Sequence, residues 1–498
     1  AFKWYLMAAE QGNAKAQSKV ASMFQAGNGV PQNDEKAFEW SLKAAEQGYA
    51  SEQSSLGYAY LNGKGVPVDH KKAFNWFEKA ALRGDMHGQM NLGIMYSFGL
   101  GVTVNHKEAC KWYLAAAKQG HALAQFSLGY CYELGQGVPQ DYKAAVKWYL
   151  KSAKQGYVDA QRKLGDAYFF GQGVTKDYKE AFKWTLQSAE QGHALAQFNL
   201  GTMYDNGEGV KKNKKEAVSW YLKAAQQGNS QAQLNLGNSY VDGEGVEKDY
   251  GKAVRWYLKS AKQGNVSAQV NLGAMYEKGD GVTVDYKKAL KWYLKAAQQG
   301  NSNAMYNLGQ FYNDGLGVAK NHKKAFKWYE KSAEQGNVES QVYVAYMFLK
   351  GIGVQRNYKE GYRWSIEAAQ HGDALAQLYL GDIYRLGQGV LKSQKEAFNW
   401  YLKSAEQGNA LAQSNLGDAY YFGHGVTKDY KEAFNWYEKS AQQGNASAQS
   451  KLGDAYCFGR GVTKDYKEAF IWYLKAAKQS NADGQLGLGL LYDSGEGV

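Results

Sequence analysis

The sequence predicts an all-α solenoid of about fourteen helix–turn–helix repeats, each 36 residues long. The 14 tryptophans indicate this, because each lies 36 residues after the one before it, with no insertion. A Gly-x-Gly-Val segment and a Leu-Gly pair recur at the same step, and the pair is replaced only at Val20-Ala21 and Val344-Ala345. A period of about 20–50 residues is typical of stacked arrays. The tryptophans are Trp4, Trp40, Trp76, Trp112, Trp148, Trp184, Trp220, Trp256, Trp292, Trp328, Trp364, Trp400, Trp436 and Trp472.

The first helix of a repeat is predicted from residues 121–134. Here Ala124, Leu128, Cys131 and Tyr132 follow the spacing i, i+4, i+7 and i+8, which places them on one helical face. A Gly-x-Gly-Val segment then breaks the helix.

The second helix is predicted from residues 141–154. Ala145, Trp148 and Ala153 share a face at helical spacing, and Gly156 ends the helix. We expect the Trp and Tyr side chains to fill the space between hairpins, with the tryptophans largely buried. Two helices and two short turns per repeat predict about 70% helix and no sheet.

Each second helix begins at a residue whose side-chain oxygen can accept hydrogen bonds from the unpaired backbone N–H groups of the first turn. A glycine follows the second helix in every copy except at Ser480. The predicted N-caps are Asn33, Asp69, Asn105, Asp141, Asp177, Asn213, Asp249, Asp285, Asn321, Asn357, Ser393, Asp429 and Asp465.

These residues resemble the Sel-1-like repeat family, a relative of the tetratricopeptide repeats. The shared motif is A-x-A-Q-x-x-L-G-x-x-Y, then G-x-G-V, then K-A-x-x-W-Y-x-K-A-A-x-x-G, read from Ala122 through Gly156 with Ala144 in place of the lysine. The resemblance covers residues 1–498 and implies one right-handed superhelical solenoid that begins and ends within a repeat. It also implies that the first helices line a concave surface, and that the chain acts as an adaptor or scaffold.

Composition and cysteine spacing argue against several other classes of protein. No run of about 18 apolar residues is present, so the sequence predicts no membrane span. The three cysteines, Cys110, Cys131 and Cys457, have no CxxC spacing, so we expect neither a disulfide framework nor a zinc site. Cys110 and Cys131 replace apolar residues of other copies and are interpreted as small buried hydrophobic residues.

No catalytic motif is recognisable. The eight histidines lie near helix ends or turns, and His121 and His193 replace the asparagine that caps the first helix in other copies. The Gly-x-Gly segments lack both a third glycine at dinucleotide-binding spacing and a Gly-Lys-Ser/Thr sequence. We therefore predict no catalytic residues, no cofactor and no metal site, and a chain that is not an enzyme.

The formal charge of +12 raises the question of an anionic partner. A column of lysines follows the second helices, but nearby glutamates offset it, so we interpret it as a charged outer face and regard nucleic acid as an unlikely partner. The column consists of Lys43, Lys79, Lys151, Lys223, Lys259, Lys295, Lys331, Lys403, Lys439 and Lys475.

Two columns of polar residues vary among the first helices and form the predicted partner-binding groove. Asparagine amides donate and accept hydrogen bonds, so a ladder of them could hold an extended peptide. The alternatives are a solvated polar stripe, or asparagines that bond to the neighbouring hairpin. The groove residues are Asn199, Asn235, Asn238, Asn271, Asn307, Gln310, Asp382, Asp418 and Asp454.

The ends of the sequence carry apolar side chains where a solenoid normally has polar caps. We expect either that the segment is cut from a longer array, or that copies associate head to tail into a filament. The residues predicted to mediate such assembly are Phe2, Trp4, Tyr5, Leu488, Leu491 and Tyr492.

The sequence thus predicts a non-enzymatic protein-interaction scaffold, with an end-to-end filament subunit as the alternative. Its expected partner is an extended peptide or another copy of the solenoid. We expect a soluble chain of bacterial type, and the sequence leaves open whether it is cytoplasmic, secreted or at the cell surface.

Overall fold

The computed structural model describes residues 1–497, and that part of the chain is 72% helical, with 28 α-helices and no strand. This confirms the all-α repeat fold. The helices are α1 (Phe2–Glu10), α2 (Ala14–Ala26), α3 (Asp34–Glu46), α4 (Ala50–Asn62), α5 (His70–Leu82), α6 (Met86–Phe98), α7 (His106–Lys118), α8 (Ala122–Leu134), α9 (Tyr142–Lys154), α10 (Val158–Phe170), α11 (Tyr178–Glu190), α12 (Ala194–Asn206), α13 (Lys214–Gln226), α14 (Ser230–Asp242), α15 (Tyr250–Lys262), α16 (Val266–Lys278), α17 (Tyr286–Gln298), α18 (Ser302–Asp314), α19 (His322–Glu334), α20 (Val338–Lys350), α21 (Tyr358–Gln370), α22 (Ala374–Leu386), α23 (Gln394–Glu406), α24 (Ala410–Phe422), α25 (Tyr430–Gln442), α26 (Ala446–Phe458), α27 (Tyr466–Lys478) and α28 (Ala482–Ser494).

The helices fall into two compact units. The first unit is Ala1–Trp256 and the second begins at Tyr257, so that the boundary lies within α15. Within each unit, helices that are consecutive in sequence pack against each other. Even-numbered helices are the first helices of the repeats, and odd-numbered ones are the second. A single solenoid over 1–498 stays a prediction.

Side-chain caps determine where the helices begin. At α9 the carboxylate of Asp141 accepts a 3.0 Å hydrogen bond from the Ala144 amide. His121 caps α8, because its Nδ1 accepts a hydrogen bond from the Ala124 amide. His193 caps α12 in the same way, with the Ala196 amide as donor. These bonds satisfy backbone donors that have no partner within the helix. The predicted caps are confirmed here, including the two histidines.

Glycines in the left-handed region determine where the helices end. Gly135 ends α8 with φ 69°, and Gly156 follows α9 with φ 86°. Side chains with a Cβ rarely adopt this conformation, which is why glycine recurs at each helix end. Ser480 takes the same conformation with φ 61° and is the one non-glycine residue at positive φ within residues 1–497.

In most repeats the aromatic residue directly after the tryptophan is the more deeply buried of the two. Tyr149 is buried, and its ring lies against Gly129, where a Cβ would approach the ring to 2.7 Å. The prediction of largely buried tryptophans is confirmed in every copy except the one with Trp4. Trp4 is exposed, nine others are half-buried, and the buried ones are Trp184, Trp220, Trp292 and Trp364. Adjacent residues point about 100° apart on a helix, so only one of the two can point directly into the core.

Buried glutamines join successive hairpins through hydrogen bonds. Gln125 donates to the carbonyl of Ala117 at 3.1 Å, and its own Oε1 accepts from Gln155 at 2.8 Å. The same pair recurs as Gln413 and Gln443 at 2.7 Å. Because a buried polar group without a partner is costly, these pairs stabilise the stacking of neighbouring repeats.

Candidate functional site

The packing positions of the first helices carry small or apolar side chains in nearly every copy. In α24 these are Ala412, Leu416 and Gly417, which are all buried. The side chains that vary among the copies lie on the remaining, accessible part of the same helices. We call this part, in either unit, the first-helix surface. It contains all nine residues of the predicted groove.

Three aspartates of the predicted groove accept hydrogen bonds from buried tyrosines of the following second helix. The pairs are Tyr401 with Asp382 at 2.7 Å, Tyr437 with Asp418 at 2.7 Å, and Tyr473 with Asp454 at 2.6 Å. Burial raises the pKa of Tyr437 well above its ordinary value, and the Asp418 carboxylate raises it further. The phenol therefore stays protonated and acts as the donor.

The asparagine column lies one turn before the aspartate column and also has partners within the chain. The amide of Asn199 donates to Asp166 of the preceding hairpin at 3.3 Å. At the equivalent position of another repeat, Lys451 donates to Asp418 at 2.7 Å. This is the bond to a neighbouring hairpin that the sequence left open as an alternative.

The remaining groove amides are half-buried. Gln310 donates to the hydroxyl of Tyr306 at 2.9 Å. Asn235 and Asn307 lie beside the hydroxyls of Tyr221 and Tyr293, and Asn238 and Asn271 are half-buried as well. The polar columns are thus held in place by the chain itself. Peptide binding by the groove residues stays a prediction.

An apolar column on the first-helix surface was missed by the sequence analysis. It occupies the last position of the first helix, directly before the glycine that ends it. In the first unit it comprises Phe98, Leu134 and Phe170, and in the second Leu386, Phe422 and Phe458. Phe98 is 72% exposed and Phe458 is 60% exposed. A search for apolar residues that recur at the repeat period would have found this column.

Clefts open beside the apolar column in both units. A cleft of about 390 Å³ in the second unit is lined by Leu386, Tyr401, Asp418 and Phe422. A cleft of about 280 Å³ in the first unit is lined by Tyr149 and Phe170, among others. Each combines exposed apolar side chains with several polar and charged ones, among them Asp418 in the first cleft and Asp166 in the second.

The lysine column of the second helices lies over the tryptophan rings. Lys223 Nζ is 3.6 Å from the ring centroid of Trp220, and Lys439 Nζ is 4.0 Å from that of Trp436. These are cation–π contacts within one helix. They give the lysines a role within the fold.

At the N-terminal end, the predicted assembly residues differ in accessibility. Trp4 and Tyr5 are exposed, whereas Phe2 is half-buried and packs edge-on against Phe24 at 5.4 Å. Phe2 therefore contributes to the core of its own unit.

At the C-terminal end, Leu491 is buried against Tyr473, and Leu488 packs partly against the same cluster. Leu491 therefore belongs to the core of its own unit. Tyr492 is exposed. End-to-end assembly stays a prediction.

The part of the chain that the structure describes has neither a cluster suited to a metal ion nor a membrane-spanning helix. Among residues 1–497, no group of three or more His, Cys, Asp or Glu side chains is placed to hold a metal ion. None of the helices in that range is long and apolar enough to cross a lipid bilayer. Cys110 and Cys131 are buried, as predicted, and Cys110 Sγ donates to the Gln136 carbonyl at 3.0 Å.

One solved structure of the same fold is similar to this chain over most of its length. The chain is 36% identical to a protective antigen of uropathogenic Escherichia coli that displays an SLR fold, with a TM-score of 0.79 and coverage of 92% of this chain and 97% of that one. It is 33% identical to a Sel1 repeat protein from Oxalobacter formigenes, with a TM-score of 0.49 and coverage of 62% of this chain and 89% of that one. No curated protein sequence matches.

The family model for the Sel1 repeat matches the chain in fourteen segments. These are residues 1–13, 14–49, 53–85, 87–121, 122–157, 158–193, 194–229, 230–265, 266–301, 302–337, 338–373, 374–409, 410–445 and 446–481. Because the segments extend over nearly the whole sequence, this chain belongs to the Sel1 repeat family.

Proposed function

We propose that this chain is a non-enzymatic scaffold that binds partner proteins on its first-helix surface. The observation that carries the proposal is the apolar column. In each unit it exposes three large apolar side chains in consecutive repeats, beside clefts with fixed polar groups. Recurring exposed apolar groups rimmed by polar residues are typical of protein-interaction sites.

The polar columns support a binding role rather than a catalytic one. The carboxylates of Asp382, Asp418 and Asp454 accept hydrogen bonds from buried phenols, so they hold the hairpins in place. Their second lone pairs and the neighbouring amides remain suited to hydrogen bonding with an extended peptide. Side chains in these columns vary among repeats, which is what sequence-specific recognition along a repeat array requires.

The test is a selection of peptides from a random displayed library on the full chain. We expect the selected peptides to lose at least about tenfold in affinity when Phe98→Asp and Phe170→Asp, or Phe422→Asp and Phe458→Asp, are combined. The matched controls are Lys147→Asp and Lys291→Asp, at exposed positions on second helices, which should leave affinity unchanged. Selected peptides whose affinity follows the control variants instead would contradict the proposal.

The alternative function, an end-to-end filament, uses a different surface. Among the residues predicted to mediate this assembly, Trp4 and Tyr492 are the most exposed aromatic side chains. If copies assemble through them, the species seen by sedimentation should grow with protein concentration, and Trp4→Asp or Tyr492→Asp should abolish that growth. A wild-type chain that stays monomeric at high concentration rules this alternative out.

A further inference from the structure

Thr185 interrupts a pairing of a glycine with an aromatic ring that most repeats keep. In these repeats a glycine on the first helix is followed, 20 residues later, by a tyrosine or phenylalanine on the second helix. Gly417 and Tyr437 are an example. Two repeats have Ala with Ser instead, at Ala21 with Ser41 and at Ala345 with Ser365. The remaining exception keeps the glycine, Gly165, but has Thr185 in place of the ring.

The pairing has a steric cause. At Gly417 a Cβ would lie 2.5 Å from the Tyr437 ring, so the glycine makes room for that ring. Where the ring is replaced by serine, an alanine occupies the room. At Gly165 a Cβ would clash with Thr185 Oγ1, so the threonine occupies the part of this space nearest the glycine. Because threonine is much smaller than tyrosine, the rest of the space that a ring would take is left unfilled.

The hydrogen-bond acceptor for that missing ring is also present. The hydroxyls of Tyr437 and Tyr473 each donate to an aspartate 19 residues earlier in the sequence. The residue 19 positions before Thr185 is also an aspartate, Asp166. Asp166 Oδ2 accepts from Arg162 at 2.5 Å, and Oδ1 accepts from Asn199 at 3.3 Å. A carboxylate offers about four lone-pair sites, so a further donor can be accommodated.

A repeat with the ring in place shows that such a carboxylate holds both kinds of donor at once. Asp418 accepts from the Tyr437 hydroxyl on one oxygen and from Lys451 on the other, both at 2.7 Å. Lys451 occupies the position that Asn199 has in the earlier repeat. The polar surroundings of Asp166 are therefore compatible with a phenol donor.

A cavity of about 220 Å³ lies where the ring is missing. Its lining includes three phenylalanines and a methionine, and its polar groups are Asp166, Asn199 and the hydroxyls of Thr185 and Thr202. An apolar cavity of about 150 Å³ is large enough to bind benzene, so this one can hold a phenol ring. The lining residues are Gly165, Asp166, Phe169, Phe170, Thr185, Phe198, Asn199, Thr202 and Met203. We call it the Thr185 cavity.

The Thr185 cavity opens next to the apolar column. Phe170 lines it and is 65% exposed, so the cavity can be reached from the first-helix surface. A chain bound along Phe98, Leu134 and Phe170 would pass the opening.

We propose that the Thr185 cavity binds a tyrosine side chain of a partner protein, whose ring packs against Phe169 and Phe198 and whose hydroxyl donates to Asp166. This inference rests on the proposed scaffold function and names the side chain that the first unit recognises. A phosphotyrosine does not fit, since it has lost the phenol donor and would bring a double negative charge beside Asp166.

The first test uses p-cresol, the tyrosine side chain alone, titrated into the full chain by calorimetry. We expect saturable binding of one molecule, and binding of toluene at least about tenfold weaker, because toluene lacks the donor for a charged acceptor. Thr185→Tyr should fill the cavity, abolish p-cresol binding and raise the unfolding midpoint. Thr185→Ser is the matched control, because it keeps the cavity and should keep the binding.

A second variant guards against misfolding of Thr185→Tyr. Asp166→Leu keeps the cavity but removes the acceptor, together with its bonds from Arg162 and Asn199. We expect p-cresol to bind this variant no better than toluene does, while circular dichroism confirms that the chain is folded. N-acetyl-tyrosinamide should bind and its phosphate ester should not. If the wild-type chain does not bind p-cresol, or if Thr185→Tyr still does, the inference is overturned. Selected peptides that bind the first-helix surface without a tyrosine would in that case leave the scaffold function standing.

Discussion

The hydroxyl of Tyr437 donates a 2.7 Å hydrogen bond to the carboxylate of Asp418, and so joins the second helix of one hairpin to its first helix. The same carboxylate accepts from Lys451 of the next hairpin at 2.7 Å. One aspartate thus fixes both the pairing of helices within a repeat and the contact with the repeat that follows.

Removing this hydroxyl should destabilise the second unit. Tyr437→Phe leaves Asp418 without one of its donors while keeping the ring, so we expect a loss of about 1–2 kcal/mol in unfolding free energy. The loss in unfolding free energy is measured by denaturant unfolding, with hydrogen exchange of the α24 and α25 amides as the probe. Tyr329 is the matched control, since its ring is buried and its hydroxyl has no hydrogen-bond partner. Tyr329→Phe should be neutral or stabilising, and equal losses in the two variants would refute the prediction.

The repeat that contains Gln341 lacks the glutamine pair, and restoring the pair should stabilise the chain. Gln341 Oε1 is buried without a partner, and residue 371, which is glutamine at the equivalent position of most repeats, is a histidine. His371 instead bonds to the Glu367 carbonyl at 2.9 Å. His371→Gln would supply a donor to Gln341, so we expect about 1 kcal/mol of stabilisation in denaturant unfolding. The reverse change, Gln443→His, removes the bond to Gln413 and should destabilise by a similar amount. A His371→Gln variant less stable than the wild type would count against the role of these pairs.

The asparagine column should contribute to peptide binding in each unit separately. We expect Asn199→Ala with Asn235→Ala in the first unit, and Asn271→Ala with Asn307→Ala in the second, to weaken a bound peptide about tenfold through lost amide contacts. Affinities of peptides mapped to each unit provide the measurement, and circular dichroism checks the fold. Unchanged affinity in both double variants would rule out the ladder.

Stability should depend on pH through Asp166. Burial raises the pKa of Asp166, although Arg162 and Lys163 oppose the shift. A carboxyl with a raised pKa binds its proton more tightly in the folded chain, so folding loses stability as pH rises from the ordinary Asp pKa through the raised one. Asp166→Asn removes this titration. The unfolding free energy of Asp166→Asn minus that of the wild type should therefore increase across that interval and then level off. A difference that stays flat or decreases would show that the pKa is not raised.

Much of the fold follows from local rules that can be read along the chain. The repeat period, the two helices per repeat, the caps such as Asp141 and His121, and the glycines that end each helix all depend on residues within a few positions of one another. The backbone conformation at these places is decided by the residue itself or by a side chain about three residues away. That is why the sequence predicted the helices nearly to the residue.

Other features were settled only when the helices packed. The sequence could not tell which of Trp148 and Tyr149 enters the core, because both lie near the same helical face. The polar columns were visible in the sequence, but the bond between Tyr437 and Asp418 depends on how two helices are placed in space. The Thr185 cavity has the same origin: a missing ring leaves a space only where Gly165 of another helix faces it. The sequence by itself determined the repeat and its helices through local backbone preferences, whereas the tertiary structure decided which side chains are buried, paired or left open, because these depend on distances between helices.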